Sequence, residues 1–367
     1  FASTDLLLFY IFFEVILIPM YLIIGIWGGK NRIYAAYKFF LYTLFGSILF
    51  LLAIIVIVIK AQTTDIVELY KLAPVIFSFD VAKYLWLALF IAFAVKVPMW
   101  PFHTWLPDAH VQAPTAGSVI LAAVLLKIGA YGLLRFSLPM FPEASYYFKD
   151  FVIILSLIAI IYTSIVAFIQ TDIKKLVAYS SVAHMGYVTL GIFTFTEQGL
   201  VGAVFQMVSH GIISGALFIS IGVIYNRLNT RNISEIGGLA SVMPHYSFLF
   251  IIFMLGSVAL PATSGFVGEF LILLAAYQSS PEVMIFAAVG VILGAIYMLW
   301  LAKQLIMGEP LNKKILELKD LNVTEGLTLL PLAILVIYFG IQPAPIINMI
   351  ELNLTDLLSN INSVVGK

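Results

Sequence analysis

Apolar residues run in blocks of about 20 along most of the chain, and short intervening stretches carry most of the charges. A helix rises about 1.5 Å per residue, so a block of this kind matches the ~30 Å hydrocarbon layer of a bilayer. Ten blocks predict membrane spans over residues 5–27, 34–59, 83–106, 114–138, 150–170, 174–195, 199–225, 244–279, 283–306 and 326–349. Two of these are interrupted. Pro98, Pro101 and Pro107 break the third, and the Leu-Pro-Ala-Thr-Ser-Gly run at 260–265 breaks the eighth. Proline lacks the backbone N–H that a helix interior needs, and its ring collides with the preceding turn. The longest polar stretches, 60–83, 226–243 and 308–325, read as connections. No Ser/Gly linker divides the chain, so 1–350 is expected to be one transmembrane domain and 351–367 a C-terminal tail.

Composition narrows the class. Hydrophobic residues make up 62% of the chain, charged residues 10%, and mean hydropathy is +1.07, which together place it in a membrane. Nineteen basic and nineteen acidic residues cancel, so no basic field points to nucleic acid. With no cysteine, disulfides, thiolate zinc sites and cysteine-held iron–sulfur clusters are excluded. P-loop, HExxH and GxGxxG patterns are missing too, so any electron or nucleotide chemistry is expected in partner subunits. Phe1 leads straight into an apolar block, which reads as a fragment lacking its N-terminal part.

Threading ten spans in order puts Lys30, Arg32, Lys38, Lys174, Lys175, Arg227, Arg231, Lys303, Lys313, Lys314 and Lys319 on one side. Lys60, Lys71, Lys83, Arg135, Lys149 and Lys367 fall on the other. The richer side is expected to face the cytoplasm or matrix, with both ends of the chain outward.

Six ionisable residues remain inside the predicted spans: Glu14, Lys96, Lys127, His184, His210 and Glu269. Lys96 stands at the first break, Lys127 near mid-membrane, and His184 ~15 Å beyond Lys174 at ~1.5 Å per residue. Glu269 follows the second break. Other readings stand beside the functional one. Lys96 could snorkel if its helix stops at Pro98, and either histidine could be a core group bonded to a carbonyl. The two carboxylates are too short to reach an interface from mid-span. Six costly groups in one apolar chain point to proton exchange through the membrane. Paired interrupted helices, each with an acid or base beside its break, add the pattern of an inverted-repeat transporter with its site near the midplane.

Residues 94–118, AVKVPMWPFHTWLPDAHVQAPTAGS, and 171–186, TDIKKLVAYSSVAHMG, resemble the antiporter-like membrane subunits of respiratory complex I and the related multisubunit Na⁺/H⁺ antiporters. Within that family, 12–21 (FFEVILIPMY) and 264–270 (SGFVGEF) are similar to the subunit M branch, called chain 4 in mitochondria. Sibling subunits usually carry lysine where this chain has Glu269. The resemblance covers essentially the whole chain, the family's first few helices excepted. It implies an antiporter-like inverted-repeat helix bundle that translocates protons in NADH:quinone oxidoreductase, coupling electron transfer from NADH to quinone to pumping. Alternatives are a Na⁺/H⁺ antiporter subunit and a passive structural spacer. Glu14 would be the carboxylate partner of Lys96; Lys127, His184 and His210 would be central relays, and Glu269 the terminal proton site. The implied partners are sibling membrane-arm subunits, lipid and protons, with no nucleic acid. NADH, FMN, iron–sulfur clusters and quinone would reside in other subunits. The implied location is a bacterial inner membrane, or alternatively the mitochondrial inner membrane.

Overall fold

In hydrocarbon a backbone N–H or C=O finds no water, so a spanning chain satisfies these groups within helices. The computed structural model describes residues 1–311 and 313–366; Lys367, counted above among the outer charges, lies outside them. Among the described residues the chain is helical apart from turns and two isolated bridges. Eight segments are long and apolar enough to cross a membrane: Leu6–Trp27, Arg32–Ala61, Thr115–Met140, Lys149–Phe168, Ile173–Phe193, Glu197–Leu228, Pro281–Ile306 and Val323–Ile341. The two interrupted spans join them. Phe79–Lys96 turns into Trp105–Gln112, and Pro244–Ser257 turns into Ser264–Ser279.

Three local features depart from the hydropathy reading. The first span is split at Ile16 into Leu6–Val15 and Leu17–Trp27. Pro19 explains this: it cannot donate to the Val15 carbonyl, and its ring presses on that turn. The polar stretch 60–83 contains a helix, Ile66–Ile76, whose N-cap Asp65 accepts from Glu68 N at 2.9 Å. Finally, the expected tail from 351 is the second part of a helix spanning Ala344–Val365. Its apolar stripe, with Leu354 and Ile361 buried, lies against the bundle while Asp356, Ser359 and Asn360 face outward.

Backbone hydrogen bonds reveal a repeat that direct sequence similarity hides. Asp5 caps the first helix and bridges Asp65; Asp172 caps the Ile173–Phe193 helix and bridges Asn232. The helices preceding Asp65 and Asn232 both end on a left-handed residue, Gln62 and Asn229, with nearly the same dihedrals. Both breaks also use one pattern. Val97 N and Met99 N bond to Phe93 O and Ala94 O, as Val258 N and Leu260 N bond to Met254 O and Leu255 O. Five spans lie between Asp5 and Asp172, an odd number, so the two repeats enter the membrane from opposite sides. This alignment makes Ser257 the counterpart of Lys96. Glu269 lies beyond the second break, in the helix that restarts at Ser264.

Close packing fixes the broken helix against its neighbours. A Cβ on Gly129 would come within 2.6 Å of Phe93 O, so only glycine lets the Thr115–Met140 helix approach Phe79–Lys96 this closely. An ion pair between Lys38 and Asp108 at 2.6 Å ties the short half-helix Trp105–Gln112 to Arg32–Ala61.

Asp172 accepts from Lys174 N at 2.8 Å and Lys175 N at 3.2 Å, and pairs with Arg231 at 3.3 Å. Removing such a cap costs about 1 kcal/mol, whereas asparagine keeps it. Asp172→Ala is therefore expected to lower the thermal midpoint of the purified protein more than Asp172→Asn. The reverse order would contradict the capping role.

Candidate functional site

The Thr115–Met140 helix is widened by π turns at Leu121–Leu125 and Leu133–Ser137, and Lys127 lies between them. Such turns loosen the regular ladder and recur where a helix carries functional groups. Here Ala122, inside the first π turn, turns its carbonyl to Lys127 Nζ at 2.5 Å. Lys127 Nζ also donates to His210 Nδ1, 2.7 Å away on the Glu197–Leu228 helix. Its ammonium head thus finds two partners in a site only 7% exposed.

His210 continues the line. Its Nε2 is buried without a hydrogen-bond partner among the described residues, and its ring centre lies 5.6 Å from that of His184. Between them is a cavity with about 10 Å³ of space open to a water centre, lined by both histidines, Gln206, Ser180 and Ser181. That is room for about one water. His184, the twelfth residue of Ile173–Phe193, places Nδ1 2.7 Å from Glu269 Oε1 and Nε2 3.2 Å from Ser257 Oγ. Gln206 Nε2 donates to the same Glu269 oxygen at 3.0 Å. Glu269 is 4% exposed. Four of the six expected residues therefore form one buried line, Lys127–His210–His184–Glu269. A neutral imidazole accepts a proton at one nitrogen and releases one from the other, so each histidine is a two-ended link.

Lys96 and Glu14 stand apart from that line, within electrostatic reach of each other but not in contact. Lys96 is the last residue of its helix and is buried, and its Nζ has no hydrogen-bond partner among the described residues. The amine sits over the Phe13 ring, 4.6 Å from the centroid. Glu14, the next residue, takes a hydrogen bond from Ser47 Oγ and forms no ion pair with Lys96. The two share a neighbourhood, but this conformation does not pair them.

The sequence reading missed several polar groups. Ser257 and Gln206 steady His184 and Glu269, yet serine and glutamine are too common to stand out. Lys174, counted as a surface charge, is buried, with its Nζ bonded to Ala113 O at 2.9 Å and Ser118 Oγ at 3.4 Å. His110 is fully buried and stacks on Phe218 at 4.4 Å, with neither ring nitrogen partnered among the described residues. Its place in the 94–118 motif was the available signal.

A family model described as "NADH:quinone oxidoreductase/Mrp antiporter, TM" matches residues 3–294. NADH-quinone oxidoreductase subunit M of Rickettsia bellii (strain RML369-C) is 57% identical over 358 residues, covering 98% of this chain and 72% of its own length. In the structure of respiratory complex I from Thermus thermophilus with bound NADH, one chain superposes with a TM-score of 0.91 at 32% identity. The match covers 100% of this chain and 76% of that one. A chain of the Mrp complex from Dietzia sp. DQ12-45-1b shares the fold, with a TM-score of 0.87 at 20% identity over 99% of this chain and 76% of that one.

The two lysines differ in what their removal strands. Lys96→Met takes away a buried amine with no hydrogen bond, so the thermal midpoint is expected to hold or rise. Lys127→Met leaves Ala122 O and His210 Nδ1 unpaired, a cost of about 1–3 kcal/mol, so the midpoint is expected to fall. Equal effects in thermal unfolding of the two purified variants would contradict these assigned contacts.

Proposed function

The chain belongs to the NADH:quinone oxidoreductase/Mrp antiporter transmembrane family, and from that membership we propose that it is the subunit M-type proton-translocating subunit in the membrane arm of NADH:quinone oxidoreductase. The observation that carries this reading is the buried line from Lys127 through His210 and His184 to Glu269. A passive spacer could use leucine at each of these positions without the cost of burying ionisable groups.

In this reading the subunit performs no redox step. NADH, FMN, iron–sulfur clusters and quinone belong to partner subunits, and sibling antiporter-like subunits adjoin this one in the arm. The membrane is the bacterial inner membrane, with the Lys30 and Lys174 side toward the cytoplasm. Protons pass along the relay by exchange between neighbouring groups, with Glu269 as the terminal site. Lys96 and Glu14 form the control point. Glu14 rests on Ser47 in this conformation, and its move toward the unpartnered Lys96 amine would pair opposite charges beside the helix break. Quinone chemistry elsewhere drives that change through conformation or electrostatics.

The energetic demand is modest. Moving a charge through 100 mV takes about 2.3 kcal/mol, which corresponds to a change of about 1.7 units in a site's proton affinity. Burial and charge pairing change affinities by that much and more.

Glu269→Gln keeps size and hydrogen bonding but cannot titrate, so proton pumping by the complex in vesicles is expected to fall by about tenfold or more. Glu269→Asp is expected to keep part of the activity, and omitting sodium is expected to leave the parent unchanged. Parental pumping by Glu269→Gln would contradict the terminal role, and a strict sodium requirement would favour the antiporter reading.

A further inference from the structure

Glu269 faces two neighbourhoods, and the relay accounts for one. The bonds from His184 and Gln206 both fall on Oε1, which leaves the other carboxylate oxygen out of the relay contacts. A second cavity, with about 10 Å³ open to a water centre, lies beside Glu269 and His184, away from His210. It is enclosed by Ile173–Phe193, Lys149–Phe168 and Pro281–Ile306, and Ser164, Tyr187, Tyr297 and Gly294 line it.

The wall is polar where a water would need partners. Ser164 Oγ donates to Ile160 O at 2.7 Å and Tyr187 Oη donates to Ala287 O at 2.7 Å, so both oxygens keep lone pairs as acceptors. With Glu269 and the Tyr297 hydroxyl, these supply the two to four partners that hold a buried water.

Two glycines on one helix show that the space is set by the packing. A Cβ on Gly290 would meet Ile160 Cγ2 at 2.1 Å and Tyr187 Oη at 2.6 Å, so this turn is closed against its neighbours. One turn later, a Cβ on Gly294 would meet only the Tyr297 hydroxyl, at 3.8 Å. The helix is tight at Gly290 and stands off at Gly294.

We propose that this cavity is a second water site, that its water exchanges protons directly with Glu269, and that Gly294 and Tyr297 keep it open and polar. In the transfer, the carboxyl O–H bond breaks as an O–H bond forms on the water. The hydronium so formed returns one of its protons to the carboxylate, so each O–H bond broken is matched by one formed and no atom changes oxidation state. Glu269 would then remain the last titratable side chain of the relay, with this water as its exchange partner. The inference rests on Glu269 as a proton-exchanging group.

Gly294→Ala and Gly294→Ser differ by one hydroxyl at a position with room for either. Alanine is the better helix former, so stability is not at risk from the backbone. In the assembled complex in vesicles, Gly294→Ala is expected to reduce proton pumping and coupled NADH oxidation by about tenfold, while Gly294→Ser, whose hydroxyl can stand in for the water, stays within about twofold of the parent. The Glu269 carboxyl band in the infrared is expected to move in Gly294→Ala and to return toward its parental place in Gly294→Ser. Parental pumping by Gly294→Ala, or equal losses in both variants, would overturn the proposal. Should Gly294→Ala fail to assemble, Tyr297→Phe decides beside Ser180→Ala, because the Tyr297 hydroxyl also bonds Ser180: a clear loss in Tyr297→Phe alone supports the site, while parental activity or equal losses in both refute it. Glu269→Gln run alongside separates the two levels. If it is inactive while Gly294→Ala is normal, only the second water site fails. If it pumps normally, the reading of Glu269 fails as well.

Discussion

A polar or charged group held at membrane depth is costly unless it finds a partner inside the protein, and much of this structure follows from that cost. Lys127 would be untenable without the carbonyl that a π turn presents and the imidazole that the next helix supplies. Glu269 accepts from His184 and Gln206 for the same reason. Because each group solves its neighbour's problem, the solution is a line rather than scattered pairs. Water-sized gaps fall where side chains do not quite meet, between His210 and His184 and again beyond Glu269.

One scaffold, used twice, carries two different chemistries. The matching caps at Asp5 and Asp172 and the matching breaks after Phe93 and Met254 show that both halves bend the same way. At equivalent places on the break, however, the first half carries Lys96 and the second Ser257. The first half leaves its amine over Phe13 with its carboxylate neighbour turned to Ser47, a loose arrangement with an alternative close by. In the second half both ring nitrogens of His184 are partnered, by Glu269 and by Ser257. In the proposed function the first half would supply the part that changes and the second the part that conducts.

The spans were legible because a bilayer sets length and apolarity together, and few other environments produce blocks of that size. Both major breaks were legible as well, since proline at mid-span has a direct backbone consequence. Pro19 was not: it leaves hydropathy unchanged, and membrane helices often accommodate proline. The Ala344–Val365 helix escaped because a hydropathy scan detects uniform apolarity, whereas this helix alternates polar and apolar faces. At the site, residue type was informative and partner choice was not. Glu14, Lys96, Lys127, His184, His210 and Glu269 stood out as ionisable groups in apolar surroundings. That Glu14 bonds Ser47, or that Lys174 is buried beneath Ala113, depends on the tertiary approach of distant helices.

The central claim is that Lys127, His210, His184 and Glu269 act as one conducting line. Its most direct test follows the Glu269 carboxyl stretch by infrared difference spectroscopy during NADH-driven turnover of the complex, in the parent and in Lys127→Gln. The account predicts a band that appears and decays with turnover in the parent, is missing from a Glu269→Gln control, and is abolished by Lys127→Gln, although Lys127 does not touch Glu269. An unchanged Glu269 band in Lys127→Gln would contradict the line.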